Sequence, residues 1–172
     1  GEDQKAAELR YLRATNMGQG SHDIRALSGP DGRFVVEGLA EGEYWFRAMA
    51  TGYACSHVET VSVSGEDRQT GLELVLDPGG TVEGRVTQAG VPMADITIQA
   101  FQNGLDGDYF RTYTNAEGYY IFEHLIPGEH EVNTVDFNRT GNAGHQVAHV
   151  EVVSGKTIRQ DFQLNGHGLS GT

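Results

Sequence analysis

The residues Asp31–Tyr44 return as Glu117–His130, with the glycines at 32 and 42, the leucine at 39 and the glutamates at 37 and 43 all recurring 86 positions later. Further along, Ser64-Gly65 returns as Ser154-Gly155, and Leu72 and Leu74 return as Phe162 and Leu164, now 90 positions apart. The difference of four is an insertion between the two blocks. A repeat this long in 172 residues means two copies of one small domain, and this decides the architecture before any residue is considered singly.

Helix signals are scarce. Residues 2–13 have helix-friendly composition, but Ala7–Tyr11 aligns with Ala94–Ile98, which alternates as a strand does. Strands are expected in the second copy at Thr81–Thr87, Ile96–Gln102, Tyr109–Thr114, Tyr119–Glu123, Glu129–Phe137, Gln146–Val153 and Thr157–Leu164. The first copy repeats the pattern at Arg33–Glu37, Glu43–Ala50, His57–Val63 and Gln69–Leu76. Glycine contributes 24 residues, about twice the usual share of ~7%, and gathers where turns are needed, as in Gly29-Pro30-Asp31-Gly32 and Asn115-Ala116-Glu117-Gly118. Short alternating strands with regular turns predict an all-β fold: two tandem seven-stranded antiparallel β-sandwiches. The expected boundaries are 1–77 and 78–164, joined at Asp77-Pro78-Gly79, where proline stiffens a junction with few spare residues. The second copy opens with Gly80-Thr81-Val82-Glu83-Gly84-Arg85-Val86, for which the first has no counterpart, so the first domain is expected to be incomplete at its N-terminus. Residues 165–172 read as the start of a further repeat, and the chain reads as a window on a longer array.

The run Asp-Gly-x-Phe-x-x-x-Gly-Leu-x-x-Gly-x-Tyr from Asp31 to Tyr44, ending in Ala50-Thr51-Gly52-Tyr53, resembles the carboxypeptidase regulatory-like domain family. That family has the prealbumin-like (transthyretin-like) sandwich and is similar in pattern to Cna-B-type surface repeats. In such a skeleton Gly32 and Gly118 would close a hairpin turn, Phe34, Val36, Tyr120 and Phe122 would fill the core, and Gly42 and Gly128 would permit positive φ. The resemblance implies non-catalytic work: a structural spacer or adhesion module in a secreted or cell-envelope protein, periplasmic or on the surface. The alternatives are a carbohydrate-binding module and an accessory domain of a hydrolase. The isopeptide cross-link of many Cna-B-type repeats is not expected, because the two lysines, Lys5 and Lys156, lie on no convincing first strand. The Tyr-Arg-Gly-Ser ending of transthyretin-related hydrolases is replaced here by Leu169-Ser170-Gly171-Thr172.

A formal charge of −12 with only 12 Lys and Arg argues against nucleic acid and anionic membrane surfaces. No apolar run approaches 18 residues, so no membrane span is read. Cys55 is the single cysteine and reads as a small apolar residue near a strand start. His145 and His149 lie four apart on one strand, ~13 Å from each other, too far for one ion. His124 and His130 flank a turn without a third ligand, and Asn103–Asp108 offers too few oxygens for calcium. No metal or cofactor is expected. Ser56-His57 and Ser62 lack a nucleophile elbow and an orienting acid, so no catalytic residue is assigned. Trp45 and Arg47 are the candidate ligand contacts, because Tyr44 takes the core position and alternation turns Trp45 outward. Tyr119, with Tyr109 and Tyr113, is a weaker candidate of the same kind, and Asn138-Arg139-Thr140 matches a glycosylation pattern. The expected partners are neighbouring repeats, with a polysaccharide or surface protein as further candidates. An unfilled edge near Leu9 and Tyr11 would invite a strand from another chain.

Overall fold

The computed structural model describes residues 10–16, 23–65, 71–102, 109–135 and 145–164. The chain divides into two compact units, Gly1–Pro78 and Gly79–Thr172. The second holds β5 (Gly80–Gln88), β6 (Val91–Pro92), β7 (Thr97–Phe101), β8 (Tyr109–Tyr113), β9 (Tyr119–Leu125), β10 (Gly128–Val135), β11 (Gln146–Val152), β12 (Thr157–Arg159) and β13 (Phe162–Leu164). One sheet is four-stranded, in the order β11-β10-β7-β8, with every pair antiparallel. The other has five strands, and all of them meet on β5: β9 and β6 antiparallel to it, β12 and β13 parallel.

Alternation explains why β5 can be this hub. Val82 and Val86 point inward and are fully buried, among Ile98, Ala100, Val132, Tyr120, Phe122, Phe162 and Leu164. Between them Gly84 lets Gln160 come so close that an added Cβ would sit 1.8 Å from its carbonyl oxygen. That carbonyl accepts the Tyr120 hydroxyl at 2.6 Å.

All seven strands expected in this unit are present. The last is split, because at Asp161 a side-chain oxygen accepts the Arg85 amide at 2.8 Å and interrupts the backbone ladder between β12 and β13. The two-residue β6 is an addition, folded back by a turn in which Ala89 and Gly90 have φ of 50° and 81°. Gly42 and Gly128, with φ of 152° and 130°, have the positive angles expected of them. The turn at Gly118 corrects an expectation. Gly118 donates to the Asn115 carbonyl at 2.9 Å, yet no hairpin forms, because β8 and β9 pair in different sheets. The chain crosses the sandwich there.

The first unit holds β1 (Arg10–Asn16), β2 (Asp23–Leu27), β3 (Gly42–Ala50) and β4 (Glu59–Val63), in the order β2-β1-β3-β4. This is the β8-β7-β10-β11 sheet again. Ala14 sits opposite Phe46 and Ile24 as Ala100 sits opposite Val132 and Phe110, every position offset by 86. The offset places Ala14 on Ala100 and Leu12 on Ile98, one residue away from the alignment of Tyr11 with Ile98, and a one-residue change of register exchanges the faces of a strand. Tyr44, Phe46 and Ala14 are its buried centre.

The second sheet is not repeated. Residues 33–37 and 71–76 keep strand-like alternation but form no ladder, against the expectation of strands at Arg33–Glu37 and Gln69–Leu76 (69 and 70 lie outside the described residues). The reason is topological. Their counterparts β9 and β13 pair only with β5, and among the described residues the first unit has no counterpart of β5.

Candidate functional site

On β3, Tyr44 and Phe46 turn into the core at 2% and 3% exposure, so Trp45 and Arg47 share the opposite face as alternation predicts. Both are half-buried. Trp45 stands opposite Thr15 on β1 and Thr60 on β4. The Arg47 Nε donates to the Ser56 carbonyl at 3.1 Å, which fixes the guanidinium across the strand. Ser56, to which the sequence assigns no catalytic role, is buried: its Oγ accepts the Ala48 amide at 2.9 Å and donates to the His57 carbonyl at 2.9 Å. Cys55 beside it is half-buried.

Tyr119 belongs to the second unit. Its hydroxyl donates to Glu83 Oε2 at 2.6 Å. That hydrogen bond, with desolvation and the charges of Glu83 and Glu123, raises the phenol above its ordinary range. Next to it, burial pushes the Tyr120 phenol far up, with the Asp161 charge adding to the effect. Desolvation alone would raise the Asp161 carboxyl, but hydrogen bonds from Arg159 and the Arg85 amide hold it below the usual carboxylate range. These groups tie β5, β9 and the β12–β13 segment together.

One cluster exceeds what the sequence singled out. On β8, Tyr109 and Tyr113 are 59% and 54% exposed, and Arg111 lies between them on the same face with its Cζ 5.7 Å from the Tyr113 ring centroid. The alternation of Tyr109-Phe110-Arg111-Thr112-Tyr113 carried this signal, and Arg111 was the member overlooked. His145 and His149 are exposed, and His149 pairs with Glu129 at 3.4 Å. His124 is exposed and His130 is fully buried, so the two do not open on one surface. Among the described residues no three His, Cys, Asp or Glu side chains gather into a metal-binding group. The readings at 103–108 and 138–140, and those at Lys5, Leu9 and 165–172, lie outside the described residues.

The family model described as "Carboxypeptidase regulatory-like domain" matches residues 81–165. The second unit is a carboxypeptidase regulatory-like domain. Its hub strand, crossing turn and buried Tyr120–Phe122 pair are thus features of this domain's own skeleton in the present chain. Among solved structures, the chain is similar to the minor pilin GBS52 of Streptococcus agalactiae, at 11% identity over 96% of this chain and 86% of that one, with a TM-score of 0.48. It is similar to a DUF3823 family protein of Parabacteroides merdae, at 22% identity over 50% of this chain and 45% of that one, TM-score 0.41. It is also similar to the shaft pilin SpaA of Lactobacillus rhamnosus GG, at 8% identity over 95% and 90%, TM-score 0.42. Likenesses this remote transfer no function. No curated protein matches the chain. No helix among the described residues is long and apolar enough to cross a membrane.

Proposed function

We propose that this chain is a non-catalytic, load-bearing stretch of tandem β-sandwich modules, a spacer or adhesion segment of a larger secreted or cell-envelope protein. The observation that carries this reading is the pairing of the first and last strands of the second unit. β5 runs parallel to β12 and β13. When parallel terminal strands are pulled from the two ends of a domain, they slide past each other, and all the bonds between them are loaded at once in shear. Antiparallel terminal strands would instead open one bond at a time. Each bond is worth only ~1 kcal/mol net, so simultaneous loading is what makes such a set resist force. The family match supports a modular role, and the repeated first sheet supports an array. The interaction partners of this reading are neighbouring modules and surface proteins.

Single-molecule pulling tests it. With the chain held at its two ends, the second unit should release in one high-force step of about 30 nm, from a reach of ~3.5 Å per residue over Gly80–Leu164. Held instead through cysteines at Thr81 and Thr157, with Cys55→Ala, β5 and β12 are peeled from adjacent ends and should part at distinctly lower force. Equal forces in the two geometries would refute a load-bearing design.

A further inference from the structure

The outer face of the first unit's sheet carries a row of like charges. Arg13 on β1 stands directly opposite both Arg25 on β2 and Arg47 on β3. Ala14 and Phe46, one position further along, fill the core, so alternation puts this row on the outer face, beside Trp45. Neighbouring strands lie ~4.8 Å apart, and the three arginine positions repeat at that pitch. They are three of only 12 Lys and Arg in a chain of formal charge −12. Like charges placed directly opposite each other destabilise a sheet. The fold does not ask for them: at the offset of 86 the same row of the second unit is Gln99, Arg111 and Asn133.

The second unit carries a row of the opposite sign on the outer face of its matching sheet. Glu129 on β10 stands directly opposite Glu151 on β11, and both are exposed. Glu131 follows on the same face, opposite His149, which pairs with Glu129 at 3.4 Å. Here too the fold makes no demand, because the corresponding pair of the first unit is Glu43 and Ser62. Each row costs its own sheet, and each repeats at the strand spacing.

We propose that the two rows are the halves of a contact between copies of this chain, in which the arginine row of one copy docks on the glutamate pair of a second copy. The guanidinium fork bonds carboxylates two at a time. Both rows repeat at the spacing of neighbouring strands, so carboxylates can meet arginines in step without distorting either sheet. A long polyanion is a poorer occupant, because the −12 surface repels every charge it carries beyond the row. The same charge holds two copies apart at low salt. At about 0.15 M salt the screening length of ~8 Å removes the distant repulsion and leaves the contact pairs. The two rows lie on different surfaces, so the contact is heterologous and leaves one row of each copy for the next. The inference rests on charge and register and stands whether or not the modules carry load.

Sedimentation equilibrium of the full chain tests it, from about 10 μM to 1 mM protein at about 0.15 M salt. The parent should associate as its concentration rises. Arg25→Glu alone and Glu151→Arg alone should each weaken the association by about tenfold. Both side chains are exposed, so neither swap puts the fold at risk. The two swaps in one chain restore opposite signs across the contact, and their effects should be less than additive. Raising the salt to about 0.5 M should weaken the parent's association. The proposal is overturned if the chain stays monomeric over this range, if either single swap leaves the association unchanged, or if the two effects simply add. It is equally overturned if the association strengthens with salt, which would mark an apolar contact instead.

Discussion

Replacing Gly84 by alanine adds a single methyl group at the most crowded point of the second unit. The new Cβ would lie 1.8 Å from the Gln160 carbonyl oxygen, 2.6 Å from its carbon and 3.0 Å from Tyr120 Cε1. Gln160 cannot simply retreat. Its carbonyl accepts the Tyr120 hydroxyl at 2.6 Å, and its amide donates to the Glu83 carbonyl at 2.8 Å. Overpacking of this kind costs about 1–3 kcal/mol. Losing the tyrosine bond at a part-buried carbonyl adds about 1–2 kcal/mol. Alanine recovers about 0.5–1 kcal/mol by restricting the unfolded chain. The net loss is about 1–4.5 kcal/mol, a large fraction of what a domain this size possesses. At ~4–8 °C per kcal/mol the melting temperature of the second unit should fall by about 4–36 °C. Trp45 is the single tryptophan and lies in the first unit, so its emission follows that unit alone, and far-UV circular dichroism of the same sample adds the second. The expected result is an early dichroism transition with an unmoved tryptophan transition. Combined with Tyr120→Phe the cost should be less than additive, because both changes remove one bond. A variant within about 0.5 kcal/mol of the parent would show that the hub strand tolerates a side chain, and the account of the sheet would fail.

Thr114→Val should cost the second unit about 1–3 kcal/mol in urea unfolding, since the buried Thr114 hydroxyl donates to the Met93 carbonyl at 2.6 Å and accepts the Ile96 amide at 3.0 Å. Ala89→Asn should raise stability by about 0.5–1 kcal/mol, because Ala89 holds φ of 50° in a turn that favours Asn-Gly; an unchanged midpoint would contradict this. The Asp161 carboxyl is held low in the folded unit, so its contribution is present above the unfolded value near ~3.9 and disappears as pH falls through the lower folded value. Asp161→Asn should therefore flatten the acid limb below about pH 4, and a limb identical to the parent's would refute the assignment. Trp45 emission should not respond to polysaccharides, because the ring is half-buried and the neighbouring Arg47 is held by Ser56; a saturable change lost in Trp45→Ala would reinstate a sugar platform.

Much of this architecture is legible in local pattern. The recurrence of Gly32, Leu39 and Gly42 announces two modules, and the alternation of Tyr44-Trp45-Phe46-Arg47 assigns each side chain to its face, because a strand's faces follow from a period of two. The valines flanking Gly84 mark an inward-facing strand in the same way, and both are buried. What alternation cannot reveal is which strand a segment bonds to. Arg33–Glu37 has all the marks of a strand and forms none, because a ladder needs a partner and in this topology the one partner is β5. The turn at Gly118 reads as a hairpin and instead carries the chain from one sheet to the other, a choice made by packing across the core. Gln160 pressed against Gly84, the Arg85 amide on Asp161 and the parallel pairing of β5 with β12 and β13 join residues 76 positions apart. Side-chain period is written locally and was determined by the sequence itself. Pairing is a long-range competition for backbone partners, and only the folded chain decided it.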